Sequence, residues 1–111
     1  MKFIMARTER NGFQATLAAN NGASLMFSEL AGKRARIKTM VESAKLNANK
    51  PERWDYFIDR KGEHYAALKA GNGQVTFVTK KYARKSSMDR AIKRIQSTIE
   101  KAIVIDRTWV E

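Results

Sequence analysis

The chain alternates between two hydrophobic periods, and it does so twice. Residues 1–9 place Phe3 and Met5 on one side and Ile4 and Ala6 on the other, which predicts a strand. Residues 13–19 continue in period two, with Phe13, Ala15, Leu17 and Ala19 on one face, and residues 24–28 form the returning strand. The period then changes. Ile37, Met40, Val41 and Ala44 fall at i, i+3, i+4 and i+7 and predict an amphipathic helix over residues 33–47. Pro51 cannot continue that helix. Residues 53–60 return to period two, with Trp54, Tyr56 and Ile58 facing one way and Asp55, Phe57 and Asp59 the other. Residues 64–70 and 74–80 are two more strands. Met88, Ile92, Ile95 and Ile99 make a second helical stripe, expected to start at an Ser86 N-cap with Asp89 three residues on, and to run to about residue 102. Residues 103–110 close the pattern as a strand.

The second half echoes the first. Leu17-Ala18-Ala19-Asn20-Asn21-Gly22 recurs 51 positions later as Leu68-Lys69-Ala70-Gly71-Asn72-Gly73, and the same shift carries Ile37, Val41 and Ala44 onto Met88, Ile92 and Ile95. It also carries Trp54 and Ile58 onto Ile105 and Trp109, and Asp55 onto Asp106. Each proposed hairpin has an X-Gly turn: Asn11-Gly12, Asn21-Gly22, Lys61-Gly62 and Asn72-Gly73. For Asn21-Gly22 the expected form is type I′, with positive φ at both central residues. The predicted fold is α+β, with two tandem β-β-β-α-β repeats sharing one mostly antiparallel sheet and two amphipathic helices on one face. It is a single domain over residues 1–111, repeat one about 1–58 and repeat two about 54–111, sharing the strand 54–60. Trp54 and Trp109 are expected as core anchors under the helices.

Leu68-Lys69-Ala70-Gly71-Asn72-Gly73, followed by a strand, Tyr82, Lys85 and an Ile-rich helix, resembles the YegP-like family of small bacterial proteins. That family carries an LKAGNG-type hairpin, a short tyrosine-containing loop and a helix, often in tandem. The likeness spans about residues 13–58 and 64–110. It departs in the first repeat, where the lysine is lost and Gly32 stands near the family's Tyr-Ser-Ser-Lys segment. It departs again in the second helix, where Ala91-Ile92-Lys93-Arg94-Ile95-Gln96 adds two cations to a GIASVK-like pattern. The resemblance implies one sheet in which the strand after each helix is exchanged between repeats. It implies no activity.

Charge is the one extreme property. The 111 residues contain 22 Lys and Arg against 11 Asp and Glu, a net +11. Residues 33–50 hold six cations (Lys33, Arg34, Arg36, Lys38, Lys45, Lys50) against Glu42, a net of +5. Residues 80–101 hold eight (Lys80, Lys81, Arg84, Lys85, Arg90, Lys93, Arg94, Lys101) against Asp89 and Glu100, a net of +6. Elsewhere the charges cancel, so the whole excess lies on the two helical segments, one per repeat.

Candidates for chemistry are few. There is no cysteine and a single histidine, His64, on a strand, which leaves no thiolate or His-centred relay and no metal-ligand spacing. Asp55 and Asp59 on one strand face could form a carboxylate pair, but with Asp106 as repeat partner and cations nearby they read as solvated or ion-paired acids. Gly71-Asn72-Gly73 leads into a strand, unlike a phosphate-binding loop, which opens a helix. The expectation is a non-enzymatic protein without cofactor or metal. The paired basic segments point to DNA or RNA, held through phosphate contacts with little sequence specificity. The residues expected to carry it are Lys33, Arg34, Arg36, Lys38 and Lys45 on the first segment. On the second they are Lys80, Lys81, Arg84, Lys85, Arg90, Lys93, Arg94 and Lys101. The alternative is a protein-interaction module or inhibitor docking on an acidic protein or on a nucleic-acid-handling complex. A homodimer through an open sheet edge is a further arrangement. With no apolar run long enough for a signal peptide or a bilayer span, a cytoplasmic protein without membrane contact is expected.

Overall fold

A computed structural model describes residues 1–109. The chain order is β1 (Lys2–Arg7), β2 (Phe13–Ala18), β3 (Ser24–Ser28), α1 (Arg34–Asn47), β4 (Trp54–Ile58), β5 (His64–Lys69), β6 (Val75–Thr79), α2 (Lys85–Thr98) and β7 (Ile103–Asp106). Short 3-10 turns, Pro51–Arg53 and Ile99–Lys101, lead from each helix into the next strand. The seven strands form one sheet in the order β4-β5-β6-β3-β2-β1-β7. All neighbours are antiparallel except β1 and β7, which run parallel.

The 51-residue echo is a pseudo-twofold axis. β2 and β5, β3 and β6, and α1 and α2 are displaced by 51 at both ends. Phe27 pairs with Val78, its own counterpart in the other repeat, so the axis passes between β3 and β6 at the middle of the sheet. Each helix carries the chain from this centre to the far edge: α1 from β3 to β4, and α2 from β6 to β7. The strand after each helix is therefore exchanged between repeats.

The predicted helical stripes form the core. Ile37, Met40, Val41 and Ala44 of α1 and Met88, Ile92 and Ile95 of α2, with Ile99 just beyond, are all buried against Phe3, Leu17, Met26, Leu68 and Phe77. The Phe3 and Phe77 rings, one from each repeat, meet at 5.6 Å with a 59° tilt. Buried hydroxyls complete the sheet ladder at repeat-related positions. Ser28 Oγ accepts from the Ala15 N–H at 2.8 Å, and Thr79 Oγ1 accepts from the Ala66 N–H at 3.0 Å.

Three expectations change. The first concerns the turns. Gly22 has φ of 87°, but Asn21 is not in the left-handed region, so the turn is not type I′. Gly22 N–H donates to Ala19 C=O at 2.9 Å and Ala19 N–H to Ala23 C=O at 2.8 Å, a three-residue loop closed by a glycine bulge. The same pair of bonds closes Asp59 to Glu63 and Ala70 to Gln74. In the first hairpin Asn11 (φ 60°) takes the left-handed place, and Gly12 falls one residue late.

The second concerns the tryptophans. β4 pairs with β5 in the register in which β1 pairs with β2, so the structural counterpart of Trp54 is Phe3 and not a residue of the last strand. Trp54 is buried and its indole N–H donates to Ala48 C=O at 2.7 Å. Trp109 is 71% exposed, because β7 ends at Asp106 and the residue lies past the last strand, against Arg34 at the start of α1. Val110, the end of the predicted last strand, lies outside the described residues.

The third is the start of α2. Lys85 is its first residue and Arg84 its N-cap position, with no side-chain cap; Ser86 is inside the helix, and Asp89 pairs with Lys85 at 2.9 Å.

Candidate nucleic-acid interface

Neither helix has an acidic residue in its first turn or a side-chain N-cap, so the positive end of each helix dipole is reinforced by cations rather than answered. What the cations can do depends on which are already engaged.

On α1 the structure divides the predicted set. Arg34 is engaged internally. Its Nε donates to Thr108 Oγ1 at 2.8 Å, its Nη2 pairs with the Asp106 carboxylate, and the guanidinium lies 4.6 Å from the centre of the Trp109 ring. Lys45 Nζ donates to Ala102 C=O at 2.6 Å and ties α1 to the end of the 3-10 turn that leads into β7. Lys38 is exposed and lines a cavity with Glu42 and Asp106, without an ion pair to either. Lys33 and Arg36 are exposed, with Arg36 reaching Gln74 at 3.3 Å.

On the α2 side Lys81 pairs with Asp59 at 2.9 Å and Lys85 with Asp89. Lys80, Arg84, Arg90, Lys93, Arg94 and Lys101 are exposed, and among the described residues none of them has a carboxylate partner. Three of these, Lys80, Arg90 and Arg94, line one groove of about 390 Å³ with Tyr82, against the turn between β2 and β3. The free positive charge is therefore concentrated on the second repeat. Sequence reasoning had weighted the two helices equally, because it could count charges but not their partners.

Each of the four aspartates is paired with a cation. Asp55 meets Lys69 at 3.1 Å, and Asp59 also accepts the Lys61 and Glu63 N–H groups at 2.9 Å each. The Lys81 ammonium and those N–H groups hold the Asp59 carboxyl below its ordinary value. Asp106 is brought down to about 2, first by the Thr108 hydroxyl, then by Arg34 and the Thr108 N–H. A depressed carboxylate stabilises the fold above its unfolded value near 3.8, and that contribution is lost as pH falls toward 2. The Asp106 carboxyl carbon, followed by NMR, is therefore expected to titrate near pH 2, and Arg34→Gln to raise the midpoint. A midpoint near 4 in the intact protein would contradict the clamp.

His64 is held in the sheet: its N–H donates to Tyr82 C=O at 2.7 Å and its C=O accepts from Tyr82 N–H at 2.8 Å. Sequence reasoning missed Tyr82 as part of the charged surface. Its position in the tyrosine-containing loop was visible, but its place beside Arg94 in the lining of one groove was not.

This fold, a sheet made from two exchanged repeats with two helices on one side, defines a class of small tandem-repeat α+β proteins. Residues 59–106 match the model of a domain of unknown function, DUF1508. A UPF0339 protein from the 5′ region of the ptx operon of Stutzerimonas stutzeri is 31% identical over 94 residues, 85% of each chain. UPF0339 protein YegP of Escherichia coli K12 is 26% identical over 106 residues, 96% of each chain. The chain belongs to the UPF0339, or YegP-like, family, as the Leu68–Gly73 hairpin had indicated. A solution structure of Escherichia coli YegP matches with a TM-score of 0.92 at 25% identity, over 99% of this chain and 95% of that one. One of a UPF0339 protein from Shewanella oneidensis matches at 0.93 and 22% identity, over 99% and 93%.

Proposed function

We propose that this protein is a non-enzymatic binder of DNA or RNA, which it holds by phosphate contacts from its basic helical face with little regard to base sequence. The observation that carries this reading is the set Lys80, Arg84, Arg90, Lys93, Arg94 and Lys101, exposed and without a carboxylate partner among the described residues. Lys33 and Arg36 extend the surface from α1. Arg34 and Lys45, bound within the fold, are left out of it. Surface solubility alone does not call for a single-sign excess on one side of a small protein. Among the described residues no helix is long and apolar enough to cross a membrane, and the reading places the protein with nucleic acid in the cytoplasm.

Fluorescence anisotropy with single- and double-stranded oligonucleotides over a salt series tests it. With about five phosphates neutralised, the log–log slope is expected near −4 to −5 on duplex DNA. A flat salt dependence, or no binding at low salt, would remove the proposal.

A second reading, docking on a protein, is favoured by the outer edge of β4. β1 is covered by β7, but the repeat-related edge of β4 has no strand beside it among the described residues, and Tyr56, Phe57 and Ile58 on it are 52%, 42% and 65% exposed. An open edge of this kind can take a strand from an acidic partner or from a second copy. Retention of one acidic protein after nuclease treatment would favour this reading over the first.

A further inference from the structure

We propose that the groove between the β2–β3 turn and α2 is a seat for a single phosphate group carrying two negative charges. It rests on the nucleic-acid reading only for the source of that phosphate. The groove of about 390 Å³ is lined by Asn21, Lys80, Tyr82, Ser87, Arg90 and Arg94, among other residues, and no carboxylate is among them. Three cations around one concave site exceed what a single backbone phosphodiester requires and suit a dianion. The neutral donors are of the matching kind. Asn21 Oδ1 accepts from the Ala23 N–H at 3.0 Å, which leaves its amide nitrogen to donate. The Tyr82 hydroxyl is covered and has no hydrogen-bond partner within the chain, although buried polar groups are nearly always paired. Burial raises the Tyr82 phenol above its ordinary value, with Arg94 close enough to oppose the shift, so at neutral pH it is a proton donor.

The repeat supplies an internal control. At the positions 51 residues earlier, Lys80, Tyr82, Arg90 and Arg94 are answered by Glu29, Ala31, Thr39 and Ser43. The scaffold is the same there, with the same turn geometry and the same helix, yet three cations and the phenol are gone. Among the residues that answer the groove's lining, Arg36, the counterpart of Ser87, is the one cation, and it bonds to Gln74. Packing of the fold therefore does not demand the basic set. Its concentration at one of two equivalent places marks a site.

The test uses the whole protein and two probes: inorganic phosphate, and a pair of oligonucleotides identical except for a 5′-phosphate. On adding phosphate, NMR amide shifts are expected at Asn21–Ala23, Lys80–Tyr82 and Ser87–Arg94, and matched chloride should leave them in place. The double variant Arg90→Thr with Arg94→Ser, which copies the residues of the other repeat, is expected to weaken phosphate binding tenfold or more. Tyr82→Phe should weaken it several-fold without altering the salt slope for unphosphorylated DNA. Lys93→Ala, outside the groove, should do the reverse. Preference for the 5′-phosphorylated strand assigns the source to a nucleic-acid end, and binding of free phosphate without that preference assigns it to a small phosphorylated ligand. Salt-dependent DNA binding with no response of the groove to either probe overturns this proposal and leaves the helical face standing. A groove response without DNA binding removes the face and keeps the groove.

Discussion

Replacing Arg90, Lys93 and Arg94 together with glutamate is expected to lower nucleic-acid affinity at low salt by a factor of about 100 or more. Each residue is exposed on α2 and has no carboxylate partner among the described residues, so each is free to meet a phosphate. The triple change removes three cations and adds three anions, taking the net charge from +11 to +5. If the three supply most of about five phosphate contacts, the salt slope should fall from near −4 or −5 to about −1 or −2, close to one unit per lost contact. The fold should hold, since surface substitutions away from paired or buried groups cost little, within about 0.5 kcal/mol each. An unchanged thermal midpoint with lost binding is the expected pairing of results. Retained affinity in a folded triple variant would rule this face out.

Phe77→Ala is expected to cost about 3–5 kcal/mol. Phe77 is fully buried on β6 and its ring meets that of Phe3 on β1, so one truncation opens a void and breaks the aromatic contact between repeats. Against a whole-domain stability of about 5–15 kcal/mol, that is a large share. The melting midpoint should drop by roughly 10–20 °C for a domain of this size. Trp109→Ala is the contrast. The side chain is larger but 71% exposed, and its loss should cost about 1 kcal/mol or less, mostly through its stacking with Arg34. Denaturant unfolding of the two variants, side by side, measures the difference. Equal losses would mean that the repeats do not share one core.

The helical stripes and the strand pattern were legible because each is a local period. Ile37, Met40, Val41 and Ala44, and then Met88, Ile92, Ile95 and Ile99, needed no knowledge of their neighbours to be placed inward. The turn chemistry was half legible. An Asn-Gly pair fits a two-residue loop and a glycine-bulge loop alike, and which forms depends on the hydrogen bonds of residues such as Ala19 and Ala23 outside it. Trp54 and Trp109 show where local reading ends. Both are large and apolar in type, but one lies beneath the helices and the other on a turn past the last strand. Burial is decided by what packs above a residue.

The site divides in the same way. Charge and repetition are properties of the chain, because formal charge does not depend on folding and a 51-residue echo needs only the order of residues. Together with the local hydrophobic periods and the Leu68–Gly73 motif, these gave the family, the α+β architecture and the location of the positive excess in residues 33–50 and 80–101. Pairing is a property of the fold. Arg34 meets Asp106 and Thr108 from 72 and 74 positions away, and Lys45 meets Ala102 from 57. These contacts exist only because each helix crosses to the far edge of the sheet. The same crossing sets Arg90 and Arg94 of the second repeat beside Asn21 of the first, so the groove has no counterpart in any continuous stretch of sequence. Electrostatic attraction acts through space over a few ångströms, and only tertiary structure determines which charges come that close.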